Sequence, residues 1–134
     1  MRIVLSALLA ATVLTGGCAM MSPKTPASIS AADAGSAILL RPGQDLQLTL
    51  VSNHTTGYRW VWANPVNPVL AQVGKPGFKP SEAAKDGTAG VGGTETWIFR
   101  PIGPGQFTLK MEYRRPWGMQ TPALETLTYN ITVK

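Results

Sequence analysis

From Ser36 onward, apolar side chains recur at every second position in short runs punctuated by Pro and Gly. Leu46, Leu48 and Leu50 form one such set, Phe107, Leu109, Met111 and Tyr113 a second, and Leu127, Tyr129, Ile131 and Val133 a third. A strand turns successive side chains to opposite faces, so a period of two marks segments that bury one face and wet the other. Residues 37–41, 44–51, 58–62, 69–73, 94–100, 106–114 and 126–133 read as seven strands, and no helix-period stretch survives outside the first eighteen residues. These strands predict an all-β domain, an immunoglobulin-like antiparallel β-sandwich of about seven strands. The chain has a single cysteine, so the buried Cys-Trp-Cys pin of antibody domains cannot form and the likeness is one of architecture only. Trp60, Trp62 and Trp97 occupy strand positions and are expected in the core, where their large apolar area is best buried.

The N-terminus follows different rules. Arg2 supplies positive charge, residues 3–14 an apolar run too short to span a bilayer, and Thr15, Gly16 and Gly17 small or polar residues ahead of Cys18. Residues 1–18 therefore read as an export signal. Small residues directly before the lone cysteine resemble the lipobox of bacterial lipoproteins, which implies lipidation of Cys18 and a membrane anchor. In such lipoproteins, Ala19 at the next position is compatible with the outer membrane of a bacterial cell envelope, facing the periplasm. The alternative is ordinary signal cleavage nearby, with Cys18 discarded or left as a free thiol. Residues 19–35 mix Ser, Ala and Pro without periodicity and read as a flexible tether reaching ~40–50 Å from the anchor. Residues 36–134 form the folded domain.

Charge and inventory narrow the function. Without Arg2, eleven basic side chains face seven acidic ones, a net charge of +4. The basic residues are scattered singly except Arg114-Arg115, without the stripe or aromatic series of a nucleic-acid site. A catalytic site also lacks parts. The only cysteine lies in the export segment, the only histidine, His54, has no evident acid partner in sequence, and no metal-ligand spacing or nucleophile motif occurs. The expectation is a monomeric protein that is not an enzyme and needs no metal or other cofactor.

In a run of antiparallel strands, alternate connections share an end. The first, third and fifth are Pro/Gly reversals such as Arg41-Pro42-Gly43. The second, fourth and sixth contain Asn53-His54-Thr55-Thr56-Gly57-Tyr58, the glycine-rich Gly90-Val91-Gly92-Gly93, and Arg115-Pro116-Trp117. Binding residues favour loops held on a rigid scaffold, so this end is the candidate interaction surface. The three motifs, in this order on such a domain, resemble those of the chagasin family of cysteine peptidase inhibitors. The resemblance runs from about residue 36 to the C-terminus, with one departure: His54 stands where the family pattern has proline, which removes a fixed φ.

The resemblance implies a wedge of three loops pressed into the active-site cleft of a papain-like cysteine peptidase. Thr55 would lie nearest the peptidase's cysteine with Thr56 beside it, the glycine loop along one wall, and Trp117 against the other. Residue chemistry suits this. Threonines are narrow and stiff at χ1, glycines admit close backbone approach, and Trp and Arg are favoured interface anchors. Blander readings remain for several residues: Tyr58 as a brace for the loop base, residues 90–93 as a linker, Trp117 as packing over the sandwich end. The competing function is a non-enzymatic envelope lipoprotein binding module for carbohydrate or protein, which would carry its aromatics along a strand face.

Overall fold

The computed structural model describes residues 24–82, 92–118 and 120–134. Nine strands lie among them: β1 (Ala27–Ser30), β2 (Ala37–Leu40), β3 (Leu46–Ser52), β4 (Arg59–Trp62), β5 (Leu70–Gln72), β6 (Gly77–Pro80), β7 (Gly93–Pro101), β8 (Gly105–Arg114) and β9 (Glu125–Val133). One sheet has the order β1-β3-β7-β5, with β6 also paired to β7, and the other the order β2-β9-β8-β4. The inward phases predicted from the alternation meet between them. Leu46, Leu48 and Leu50 of β3, Phe99 of β7, Leu109 and Met111 of β8 and Tyr129 and Ile131 of β9 are all buried. Trp60, Trp62 and Trp97 join this core, with Trp62 set edge-on to Phe99 at 5.0 Å between ring centroids.

Three expectations need correction. First, the sheets are mixed: β1 runs parallel to β3 and β2 runs parallel to β9. Second, β6 was not legible, because all four of its residues are exposed and a strand with no buried phase leaves no alternation. It pairs with β7 in the same antiparallel sense as β5, so the alternation of connection ends survives its addition. Third, the segment 19–35 is not tether throughout. Ala27 to Ser30 form β1, which buries Ile29. Ser30 then caps a 3-10 turn over Ala31–Asp33, with reciprocal bonds between Ser30 and Asp33. A strand with one buried residue is too short to show a period. The chain is tied still earlier: the Lys24 ammonium donates to the Pro42 carbonyl, Gln44 Nε2 donates to the Thr25 carbonyl at 3.0 Å, and the Ala27 N–H donates to the Asp45 carbonyl at 2.9 Å. The proposed export signal and Cys18 lie outside the described residues.

Tyr129 links β1 to the second sheet by donating its hydroxyl to the Ser30 carbonyl at 3.0 Å. A chain beginning at Ser36 would leave this buried hydroxyl unpaired and the β3 edge bare. It is expected to lose about 2 kcal/mol or more against a chain beginning at Lys24. Equal urea midpoints for the two would show β1 to be dispensable. Burial, followed by the nearby Asp33 and Glu125, pushes the Tyr129 phenol up to about 12. Between the ordinary tyrosine value near 10 and that value the unfolded chain gives up this proton while the folded one keeps it. Stability therefore falls as pH rises through this window, and Tyr129→Phe should flatten that part of a stability-against-pH curve.

Candidate functional site

The β3–β4 connection is a short 3-10 turn over His54–Thr56 that satisfies its own polar groups. Asn53 caps it: Oδ1 accepts the Thr55 N–H at 3.2 Å and the Thr55 hydroxyl at 2.6 Å. The Thr56 hydroxyl donates to the Asn53 carbonyl at 2.7 Å, and the Gly57 N–H to the His54 carbonyl at 3.1 Å. Gly57 leaves the turn at φ +82°, a left-handed conformation that penalises any side chain. These bonds explain why the turn is longer than an Asn-Gly hairpin. The result is a knob with Thr55 and Thr56 exposed at its tip.

The knob is braced from three sides. At its base, the Asn53 N–H donates to the Tyr113 hydroxyl at 2.9 Å, and Tyr58 and Trp60 pack against the Tyr113 ring at 5.4 and 5.1 Å. From the β8–β9 connection, Arg115 Nε donates to the Thr56 carbonyl at 3.3 Å while its guanidinium lies 4.8 Å from the centre of the Tyr58 ring. The Trp117 indole leans over Gly57, where a Cβ would come within 2.9 Å of the ring. The rest of that indole faces outward, leaving Trp117 74% exposed beside the exposed Pro116. From the third side, a Cβ on Gly92 would lie 2.6 Å from the Ser52 carbonyl oxygen and 3.3 Å from Asn53 Cα.

The structure thus brings together Asn53 to Tyr58, Gly92 and Gly93, and Arg115 to Trp117 at one end of the sandwich. Gly90 and Val91 lie outside the described residues. The described glycines have an internal reason to be glycine: Gly92 packs on the base of the knob, and a Cβ on Gly93 would meet the Lys79 carbonyl oxygen of β6 at 2.2 Å. Tyr58 is half-buried and braces the loop base.

His54 departs from the sequence expectation, because it has an acid neighbour that sequence distance concealed. Its ring stacks on Phe78 with centroids 4.0 Å apart and planes 19° apart, and its Nδ1 lies 3.5 Å from the Arg59 guanidinium. Its Nε2 approaches Glu95 Oε2 at 3.5 Å, an ion-pair distance without the alignment of a hydrogen bond. Glu95 is a site residue that sequence reasoning missed. It occupies an inward position of β7 two residues from Trp97, only 4% exposed, and accepts the Trp60 N–H at 3.1 Å across the edge of the sandwich. A carboxylate on the otherwise apolar buried phase of β7 was the available signal. The stack on Phe78 and the packing beside Glu95 supply the restraint on this turn that a proline at position 54 would have built in.

The third connection is anchored separately. Arg114 is buried, pairs with Glu112 at 2.7 Å and donates to the Thr121 carbonyl at 3.1 Å, so the root of the Arg115–Trp117 segment is held by charge within the fold. The family model described as "Chagasin family peptidase inhibitor I42" matches residues 40–133, a span that takes in all three connections. This chain belongs to the chagasin family. Its members are peptidase inhibitors, and the chain is not an enzyme.

Solved structures agree on the fold. A cysteine protease inhibitor from Entamoeba histolytica superposes with a TM-score of 0.66 at 17% identity, over 82% of this chain and 96% of that one. Amebosin gives 0.63 at 22% identity, over 83% and 100%. ICP of Leishmania mexicana gives 0.55 at 26% identity, over 88% and 100%. No curated protein matches the chain.

Replacing Glu95 by alanine would strand the buried Trp60 N–H and remove the neighbour of His54, at an expected cost of about 1–3 kcal/mol in chemical denaturation. Glu95→Gln keeps an acceptor and should cost less. Equal stability of Glu95→Ala and the unsubstituted protein would remove Glu95 from this account of the knob.

Proposed function

We propose that this chagasin-family protein inhibits papain-like cysteine peptidases reversibly by occluding the active-site cleft with three loops. The observation that carries the reading is the convergence of Thr55 and Thr56, Gly92 and Trp117 on one rigid end. In the bound complex Thr55 and Thr56 enter over the catalytic cysteine, residues 90–93 run along one wall, and Trp117 covers the other. Inhibition needs no chemistry. A knob whose polar groups are already satisfied offers no correctly placed scissile carbonyl, and its rigidity limits the entropy lost on docking. The interface expected is of standard size, roughly 1,600 Å². Against the alternative of a carbohydrate-binding module stands the placement of its aromatics: Trp60, Trp62 and Trp97 are buried, and no strand face presents them.

The same reading assigns Cys18 to a lipid anchor and the protein to the bacterial cell envelope, at the outer membrane facing the periplasm, as a monomer. Its support is the sequence around Cys18 alone.

Titration of a papain-like peptidase by residues 19–134 tests the core of the proposal. Stoichiometric inhibition that is lost in Thr55→Trp is the expected result, and no inhibition by the folded domain across several such peptidases would overturn it. Trp117→Ala should speed dissociation by about 30-fold, the equivalent of ~2 kcal/mol, with the unfolding temperature unchanged because the ring is largely exposed. A matching loss of thermal stability would instead make Trp117 a packing residue.

A further inference from the structure

The strand directions fix where the chain enters the domain relative to the three loops. β1 runs parallel to β3, with Ala27 opposite Leu46 and Ser30 opposite Thr49, and β3 leads directly into the His54–Thr56 turn. The N-terminal segment therefore arrives at the end of the sandwich farthest from the knob. It is fastened there by the bonds of Lys24, Thr25 and Ala27 to the β2–β3 turn. Only residues 19–23 separate Cys18 from Lys24, so the anchored position lies at most ~20 Å from the fold. That is about half the reach expected of a tether continuing to residue 35. An acyl group on Cys18 would hold this end close to the headgroups.

The composition of that end suits such a neighbour. Lys24 and Arg41 are exposed there. Lys134 is exposed at the same end. Among the described carboxylates only Asp45 lies at this end, and Arg100 already holds both of its oxygens at 2.9 Å. Glu82, Glu95, Glu112 and Glu125 belong to the half nearer the loops, and Asp33, which accepts the Ser30 N–H opposite the middle of β3, lies at mid-height. Exposed apolar side chains accompany the cations: Ile102 at 57% and Val66 at 96%. Cations interspersed with apolar groups match the interfacial region of an anionic bilayer.

We infer that the end opposite the three loops is a lipid-facing base, resting on anionic phospholipid headgroups and holding the loops away from the bilayer. The inference rests on the lipid-anchor reading of Cys18. Three exposed cations are too few to recruit a free domain, but the short anchor keeps them within a Debye length of the surface, where they set orientation. β8 spans the domain with ten residues, so the knob stands roughly 30 Å farther from the headgroups than the base does. At that height a peptidase can approach the three loops without meeting the membrane.

The test uses the acylated protein, made in a lipoprotein-processing bacterium and reconstituted into phosphatidylcholine vesicles with about one-third phosphatidylglycerol. A fluorophore is attached to Ile102→Cys at the base or to Leu124→Cys at the loop end, and headgroup-labelled lipid serves as quencher. With Cys18 acylated, the introduced thiol is the one that reacts. Several-fold stronger quenching at position 102 than at 124 is expected. The difference should collapse in pure phosphatidylcholine, at about 0.5 M salt, and in Lys24→Glu/Arg41→Glu whose fold is verified by thermal unfolding. Equal quenching at both positions, or stronger quenching at 124, would overturn the base while leaving the anchor intact. A purified chain whose intact mass shows no acyl group would fail the anchor itself, and the base with it. Shielding of position 102 in native membranes but not in protein-free vesicles would assign this end to an envelope protein instead. Peptidase titration of the same vesicles reads the inhibitory loops separately.

Discussion

Seven residue pairs zip β3 to β7, from Leu46 opposite Phe99 to Ser52 opposite Gly93. A slip of one residue would turn every inward side chain of the ladder to solvent, so the buried faces of Leu46, Leu48, Leu50, Trp97 and Phe99 hold this register firmly. The same register sets Ser52 beside Gly93 at the top of the ladder, and hence Asn53 beside Gly92. Two of the three motif-bearing connections are neighbours because one hydrophobic ladder ends where both begin. The third arrives through the other sheet, where β8 carries Tyr113 up to the Asn53 N–H and continues into Arg115 and Trp117.

Rigidity at this end comes from internal satisfaction of polar groups. Asn53, Thr55 and Thr56 bond to one another, Arg115 reaches back to Thr56, and Glu95 takes up the Trp60 N–H. The buried carboxylate is tolerated because it lies at the rim of the sandwich, with a backbone donor and an imidazole beside it. His54 shows how a locally stiff residue can be replaced by tertiary restraint. The stack on Phe78 immobilises the ring from a strand more than twenty residues away in sequence.

The two ends of the molecule differ in kind. One is built from polar turns and a largely exposed indole over a tyrosine-lined base, the other from prolines, Ile102, Val66 and exposed cations. This polarity follows from topology: consecutive strands reverse direction except β5 and β6, which both run against β7, and the N-terminal strand lies parallel to the strand that feeds the knob. A peptidase inhibitor anchored at the first of these ends would bury its own wedge, whereas one anchored at the second presents it.

Much of this was legible in the residues themselves. Period-two alternation located the seven principal strands and their inward faces, because burial of one face selects residues at every second position. The spacing of Pro/Gly reversals separated the plain end from the end that gathers the three motifs, and those motifs carried the family. What alternation could not reveal were strands without a buried phase to select: β6, wholly exposed, and β1, with Ile29 alone buried. Nor could linear order disclose that β1 and β2 pair in parallel, that His54 meets Glu95 and Phe78, or that Gly92 and Gly93 are required by their own chain's backbone. Those are contacts between residues far apart in sequence. Side-chain pattern records which face is buried, while the partner across the gap is chosen only when the sheets close.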